Sequence, residues 1–191
     1  MLLIEHGYLT KDSYPLDLVE IITVVKLLKL AQLVMNSEQM AEFILNHSYK
    51  LRFRKRKYGF AQSCDSNATV YKKFYSGNER STGNDGVWKA NINFYHDSNK
   101  ADIRGYTTPP STTINCNTAA IPLSEYKMDI LDRVENIIHE YCHLVGMKHS
   151  PGYKFWSRRL WKYSAPYAIG LEGRKIALGM LSTGDVVWDE L

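Results

Sequence analysis

The chain has 191 residues, 45% of them hydrophobic and 23% charged, with a net charge of +4. Such a length suits one domain with its own core, and the composition excludes a disordered or fibrous chain. The 13 tyrosines are a high share that suits a tyrosine-lined groove or an exported protein.

We read residues 1–191 as a single domain whose residues 1–48 form an N-terminal helical portion. Tyr14 and Pro15 precede a first helix over about 16 to 35, and AsnSerGluGln at 36–39 caps a second that runs to about His47. Leu16 to Met35 is the most apolar stretch, yet Asp17, Glu20, Lys26 and Lys29 interrupt it. A membrane span needs about twenty largely uncharged apolar residues, so the expectation is a soluble helix and no membrane span. A signal peptide places its positive end ahead of its apolar run, which this stretch does not do. The compartment is left open, including export after removal of a leader.

Residues 50–57 form the basic run LysLeuArgPheArgLysArgLys. Leu51 and Phe53 alternate with Arg52, Arg54 and Arg56, which fits a strand over about 49 to 60 with one buried and one solvated face. No nucleic-acid partner is expected on that reading. Ser66 caps a short helix that ends before Ser76 and Gly77, and a loop rich in Gly, Asn and Ser follows. Residues 87–95 alternate as a strand, 105–108 turn into another extended segment, and 112–117 form a further strand.

Pro122 to Tyr126 lead into a long helix in which Ile130, Leu131, Val134, Ile137, Ile138, Tyr141, Leu144 and Val145 recur at three- and four-residue steps. Asp132, Asn136, His139 and His143 fall roughly opposite this apolar stripe, so one side enters a core and the other faces a cleft. After Pro151, the residues Tyr153, Trp156, Leu160 and Trp161 suggest another amphipathic helix, and Ile176 to Met180 begin a last short one. The fold class expected is α+β, a small mixed sheet with one long helix carrying the site, flanked by helices at both ends.

The chemistry concentrates at 139–149, HEYCHLVGMKH, which matches HExxHxxGxxH. A chance match to its five fixed positions has a probability of about 2 × 10⁻⁵ for this composition, so coincidence explains it poorly. His139 and His143 stand one turn apart and project from the same face, where two imidazoles can grip one tetrahedral ion. Glu140 lies about 100° around the helix, beside the ion rather than on it, where a carboxylate serves as a base. Gly146 can take a left-handed conformation, stop the helix and let His149 swing back as a third ligand. Cys64, Cys116 and Cys142 form no CxxC pair, so a cysteine zinc site is unsupported. Cys142 reads as a packing residue inside the motif, and Cys64 could pair with Cys116 in an exported protein.

This segment resembles the zincin metallopeptidases and, within them, the metzincin branch. The resemblance implies zinc (Zn2+) held by His139, His143 and His149, Glu140 as the general base, Gly146 as the turn, and a peptide or protein substrate. It also implies an active-site helix beneath a mixed sheet whose edge strand aligns extended substrate, a role that falls to residues 112–117. The activity implied is hydrolysis of peptide bonds by a zinc-activated water, within chains more than at their ends. One departure is that no segment reads like the methionine turn of that branch. Met180 is the nearest methionine, and residues 164–170, SerAlaProTyrAlaIleGly, are the alternative floor of the site.

An oxyanion donor is sought among Tyr153, Tyr163 and Tyr167, and Tyr167 is preferred because its ProTyr turn can fix the side chain toward the cleft. Glu172 is the competing third ligand in the manner of gluzincins, disfavoured because His149 already stands at the right spacing. The other functional class is a zinc-containing protein-binding module without turnover. Glu140 argues against it, because a structural site closes its fourth position with a protein group and needs no neighbouring acid.

Overall fold

The computed structural model describes residues 1–10, 16–49, 66–77, 86–108, 112–147, 149 and 164–191. The expected strand at 49–60, from residue 50 on and with its basic run, Cys64, the helix at 153–161, and Tyr153 and Tyr163 lie outside the described residues. The fold is α+β, with β1 (Leu3–Thr10), α1 (Leu18–Met35), α2 (Glu38–Asn46), α3 (Asn67–Phe74), β2 (Val87–Tyr95), β3 (Gly105–Tyr106), β4 (Thr113–Asn117), α4 (Lys127–Leu144) and α5 (Ala165–Thr183). The strands form one sheet in the order β1-β2-β4-β3. β1, β2 and β4 run parallel, and β3 runs antiparallel to β4 at the edge.

One face of the sheet meets the helices. Trp88, Ala90, Ile92 and Phe94 of β2 and Ile114 of β4 are buried together with Val24, Leu27, Leu28 and Ala31 of α1 and Leu131, Val134, Ile138 and Tyr141 of α4. The Trp88 and Tyr141 rings lie 4.8 Å apart, and the Tyr141 hydroxyl donates to the Phe74 carbonyl at 2.7 Å. The aromatic rings are buried here while the phenolic donor of Tyr141 stays satisfied.

The charges that break the apolar run of α1 all have partners. Asp17 and Glu20 form a reciprocal capping box, with bonds of 2.8 and 3.0 Å. Lys26 faces Asp189 at 3.8 Å and lies over the Trp188 ring, while Lys29 donates to the Leu191 carbonyl. No helix among the described residues is long and apolar enough to cross a membrane. Ser37 and Ser66 cap α2 and α3 as their sequence positions foretell.

Three expectations are corrected. The 1–48 portion does not open with helices, because β1 precedes them and pairs in parallel with β2, far away in sequence. Its other edge is held by side chains at the end of α1 and its C-cap: Leu2 N donates to Asn36 Oδ1 at 2.7 Å, and Ile4 N donates to Gln32 Oε1 at 2.6 Å. A bulge between His6 and Leu9 interrupts the alternation that would have announced the strand. Gly7 is required there, since an added Cβ would stand 2.7 Å from the Ala90 carbonyl and closer still to the Asn91 side chain.

Residues 112–117 are the second correction. β4 lies between β2 and β3, so among the described residues the edge on that side of the sheet belongs to β3, whose two residues are too few to show a pattern. The third concerns the last helix, which runs unbroken from Ala165 to Thr183 instead of starting near Ile176. Gly170 and Gly173 weaken its apparent propensity, yet they let it approach α4 closely. A Cβ at Gly173 would come within 2.6 Å of Ile138 Cδ1, and one at Gly170 within 3.1 Å of the Glu135 carbonyl.

Asn117 fixes the loop that leads into β3. It is fully buried, its Oδ1 accepts from Asp97 N and Ala119 N at 3.1 Å each, and its Nδ2 donates to the Asp97 and Lys100 carbonyls at 3.1 and 3.0 Å. Asn117→Ala strands all four partners and is expected to destabilise the protein by about 2–4 kcal/mol, read from the denaturant midpoint. A loss within about 0.5 kcal/mol would show that the loop does not depend on this amide.

Candidate metal centre

His139 and His143 come from the last two turns of α4, whose spacing places them on one face. The helix ends as Gly146 takes φ 89°, Gly146 N bonds the His143 carbonyl at 3.0 Å and Met147 N bonds the Cys142 carbonyl at 2.9 Å. An added Cβ at Gly146 would meet nothing within 4 Å, so glycine is demanded by the left-handed backbone and not by crowding. The reversal returns His149 to the helix.

The three histidines converge. Their ligand atoms all lie within 4.8 Å of one another, and His143 Nε2 and His149 Nε2 are 3.0 Å apart. Two nitrogens at about 2.05 Å from a tetrahedral ion stand about 3.3 Å apart, so the cluster is close to a ligand set and could hold a metal ion. Backbone carbonyls orient two of the rings. His143 Nδ1 lies 2.8 Å from the Met147 carbonyl and donates to it, which leaves the Nε2 lone pair aimed at the centre. His139 bonds the Pro166 carbonyl.

Burial and proximity keep two of these rings, His139 and His149, neutral. Burial, then the neighbouring His143 and His149, hold His139 well below its usual pKa. Burial, then His143, brings His149 down to about 4. Neutral imidazoles are the form that binds metal. Glu140 is 5% exposed and its Oε2 is buried with no hydrogen-bond partner. Burial raises its carboxyl to about 7, and the adjacent Thr107 hydroxyl opposes that rise. A buried carboxylate oxygen left without a partner, on the residue that follows His139, is an uncompensated polar group next in the chain to a cluster that could hold a cation.

Tyr167 stands in the same place. From the first turn of α5 its ring lies 4.5 Å from that of His139 and stacks on His149 at 4.8 Å and 27°. Ser164 to Gly170 therefore underlies the site: Pro166 bonds His139, Tyr167 packs on two ligand rings, and Gly170 lets α5 touch Glu135 and His139. Met180 lies thirteen residues further along α5, about 20 Å away at the helical rise, and packs at the core margin. Glu172 pairs with Lys175 at 2.8 Å and does not join the histidines. Cys142 is buried as a packing residue, and Cys116 is a buried free thiol.

Arg133 escapes sequence reasoning. With Asn136 and Glu140 it forms a buried polar stripe on α4 facing β4 and β3, and the three- and four-residue spacing of the three is the signal that could have found it. Arg133 donates to the Ile121 carbonyl and lies over the Phe94 ring at 5.8 Å. Asn136 Nδ2 points to Cys116 Sγ at 3.7 Å. On the outer side, Arg174 bonds Asp132 at 2.8 Å, and Arg104 reaches Glu135 at 3.4 Å. These half-exposed pairs contribute little stability each, but together they tie α5 and the approach to β3 onto the turn of α4 below His139.

His149→Ala is expected to lose bound metal while Glu172→Ala retains it, as measured by metal content of the purified protein. The reverse result would move the third ligand to Glu172. No protein-family model, no curated protein and no solved structure matches the chain.

Proposed function

We propose that this protein is a zinc-dependent metallopeptidase of zincin type, closest in its motif to the metzincins, that hydrolyses peptide bonds within protein or peptide substrates. The observation that carries the reading is the convergence of three imidazoles with a buried acid, Glu140, next to His139 in the chain, whose Oε2 has no hydrogen-bond partner. A purely structural site has no use for that acid. His139, His143 and His149 would hold the ion, which supplies Lewis acidity and an open position at neutral pH when bound.

The chain's own residues do the rest. Glu140 takes a proton from the attacking water and returns it to the departing amine, so one carboxylate serves as base and then acid. The Met147 and Pro166 carbonyls hold His143 and His139 in orientation. Tyr167 is the donor we assign to the developing oxyanion. β3 offers its free edge to an extended substrate by strand addition, with Thr107 leading directly to Glu140. A segment laid along a strand in this way favours cleavage inside a chain.

The test is metal analysis of the pure protein together with cleavage of casein and a mixed peptide library. Expected are one zinc per chain and cleavage abolished by chelator and restored by zinc. Tight zinc binding with no peptide cut under any condition would replace this reading with a zinc-containing binding module.

A further inference from the structure

The sheet edge beside Glu140 carries an aromatic pair that hydrolysis itself does not need. Gly105 faces α4, since a Cβ there would come within 2.7 Å of Asn136 Nδ2. Thr107 turns toward Glu140 on that same side. Tyr106 lies between them and projects to the opposite face of the sheet, in register with Asn115 and 46% exposed. Its ring meets Tyr95 from β2 at a centroid distance of 5.8 Å and 59°.

The strand beneath this pair is held firmly. Asn93 Nδ2 donates to Asn115 Oδ1 at 3.0 Å, and Asn115 Nδ2 reaches the Tyr106 carbonyl at 3.4 Å, a row of neutral amides across β2, β4 and β3. Among the described residues β4 is the one strand partner of β3. A peptide added to the open side must alternate its side chains between the two faces. The residue opposite Tyr106 then lies on the outer face, and its neighbours point in toward Glu140 and the histidines.

We infer that Tyr106, backed by Tyr95, is a specificity subsite that selects an aromatic or large apolar side chain about one or two residues from the cut bond. This rests on the peptidase reading above. An exposed phenol ring on a fixed strand gains most from covering an uncharged, flat or bulky partner, and such stacking corresponds to about a three- to tenfold preference. The amide row offers no charge of its own to favour an acidic or basic residue at that place.

The test uses blocked heptapeptides in which phenylalanine or alanine is placed in turn at each position, with the full chain and added zinc. Wild type is expected to cut the phenylalanine peptide about three- to tenfold faster at one position near the cleaved bond. Tyr106→Ala should erase that ratio and Tyr106→Phe should keep it. A ratio unchanged in Tyr106→Ala overturns the subsite. Binding of the same peptides to Glu140→Gln, followed by calorimetry or NMR, separates the two readings. If wild type cuts nothing, yet Glu140→Gln prefers phenylalanine and the double variant with Tyr106→Ala does not, the subsite stands and the peptidase reading falls. Equal binding of both peptides overturns the subsite.

Discussion

Glu140→Gln is expected to keep one metal ion per chain and to lower peptide hydrolysis by about 10²–10⁴-fold. The amide has the volume of the carboxylate and cannot take a proton from water, so only the base is removed. Folding should not suffer, because Glu140 is 5% exposed and its Oε2 has no hydrogen-bond partner to lose. Replacing a buried charge by a neutral isostere removes a desolvation penalty, and the thermal midpoint should be equal to or above that of wild type. Metal content, cleavage rate and melting are all measured on the same preparation. A variant that cuts within about threefold of wild type would remove Glu140 from the chemistry and leave the three histidines as a binding centre.

The parts of this site that could be read from the chain are those set by local geometry. His139 and His143 at one helical turn, Gly146 at the helix stop and His149 after it depend on residues within eleven positions of one another, and the structure brings all three rings together. β2 was legible for the same reason, because its alternation is intact. What distance hides is partnership. β1 gains its neighbour from the far side of three helices, and the bulge at Gly7 erases its period. β3 is an edge only because β4 returns beneath it. Glycines in α5 lower helix propensity but permit the close packing on α4 that outweighs it, so tertiary contact decided that helix against its local signal. The Pro166 carbonyl, a backbone group, leaves no mark in a sequence pattern.

Tyr167 joins both kinds of information, and two substitutions at it separate a ring from a hydroxyl. Its position after a Ser-Ala-Pro turn made it the preferred oxyanion donor, while the structure adds that its ring packs on His139 and His149 at 4.5 and 4.8 Å. Tyr167→Ala removes both ring contacts and the support under two ligands. Metal affinity should fall about 10- to 100-fold, the usual effect of losing an orienting group behind a metal ligand. Tyr167→Phe keeps the ring, so metal affinity should hold. Turnover should nevertheless fall about 10²–10³-fold if the hydroxyl donates to the oxyanion. Unchanged turnover in Tyr167→Phe would strip Tyr167 of the donor role and leave it as the floor of the centre. Wild-type metal affinity in Tyr167→Ala would strip it of the floor role, and support for the rings would then fall to the Pro166 and Met147 carbonyls. What the structure supplies beneath His139 and His149 is an aromatic ring on the first turn of a helix, and the two substitutions decide whether its hydroxyl acts as well.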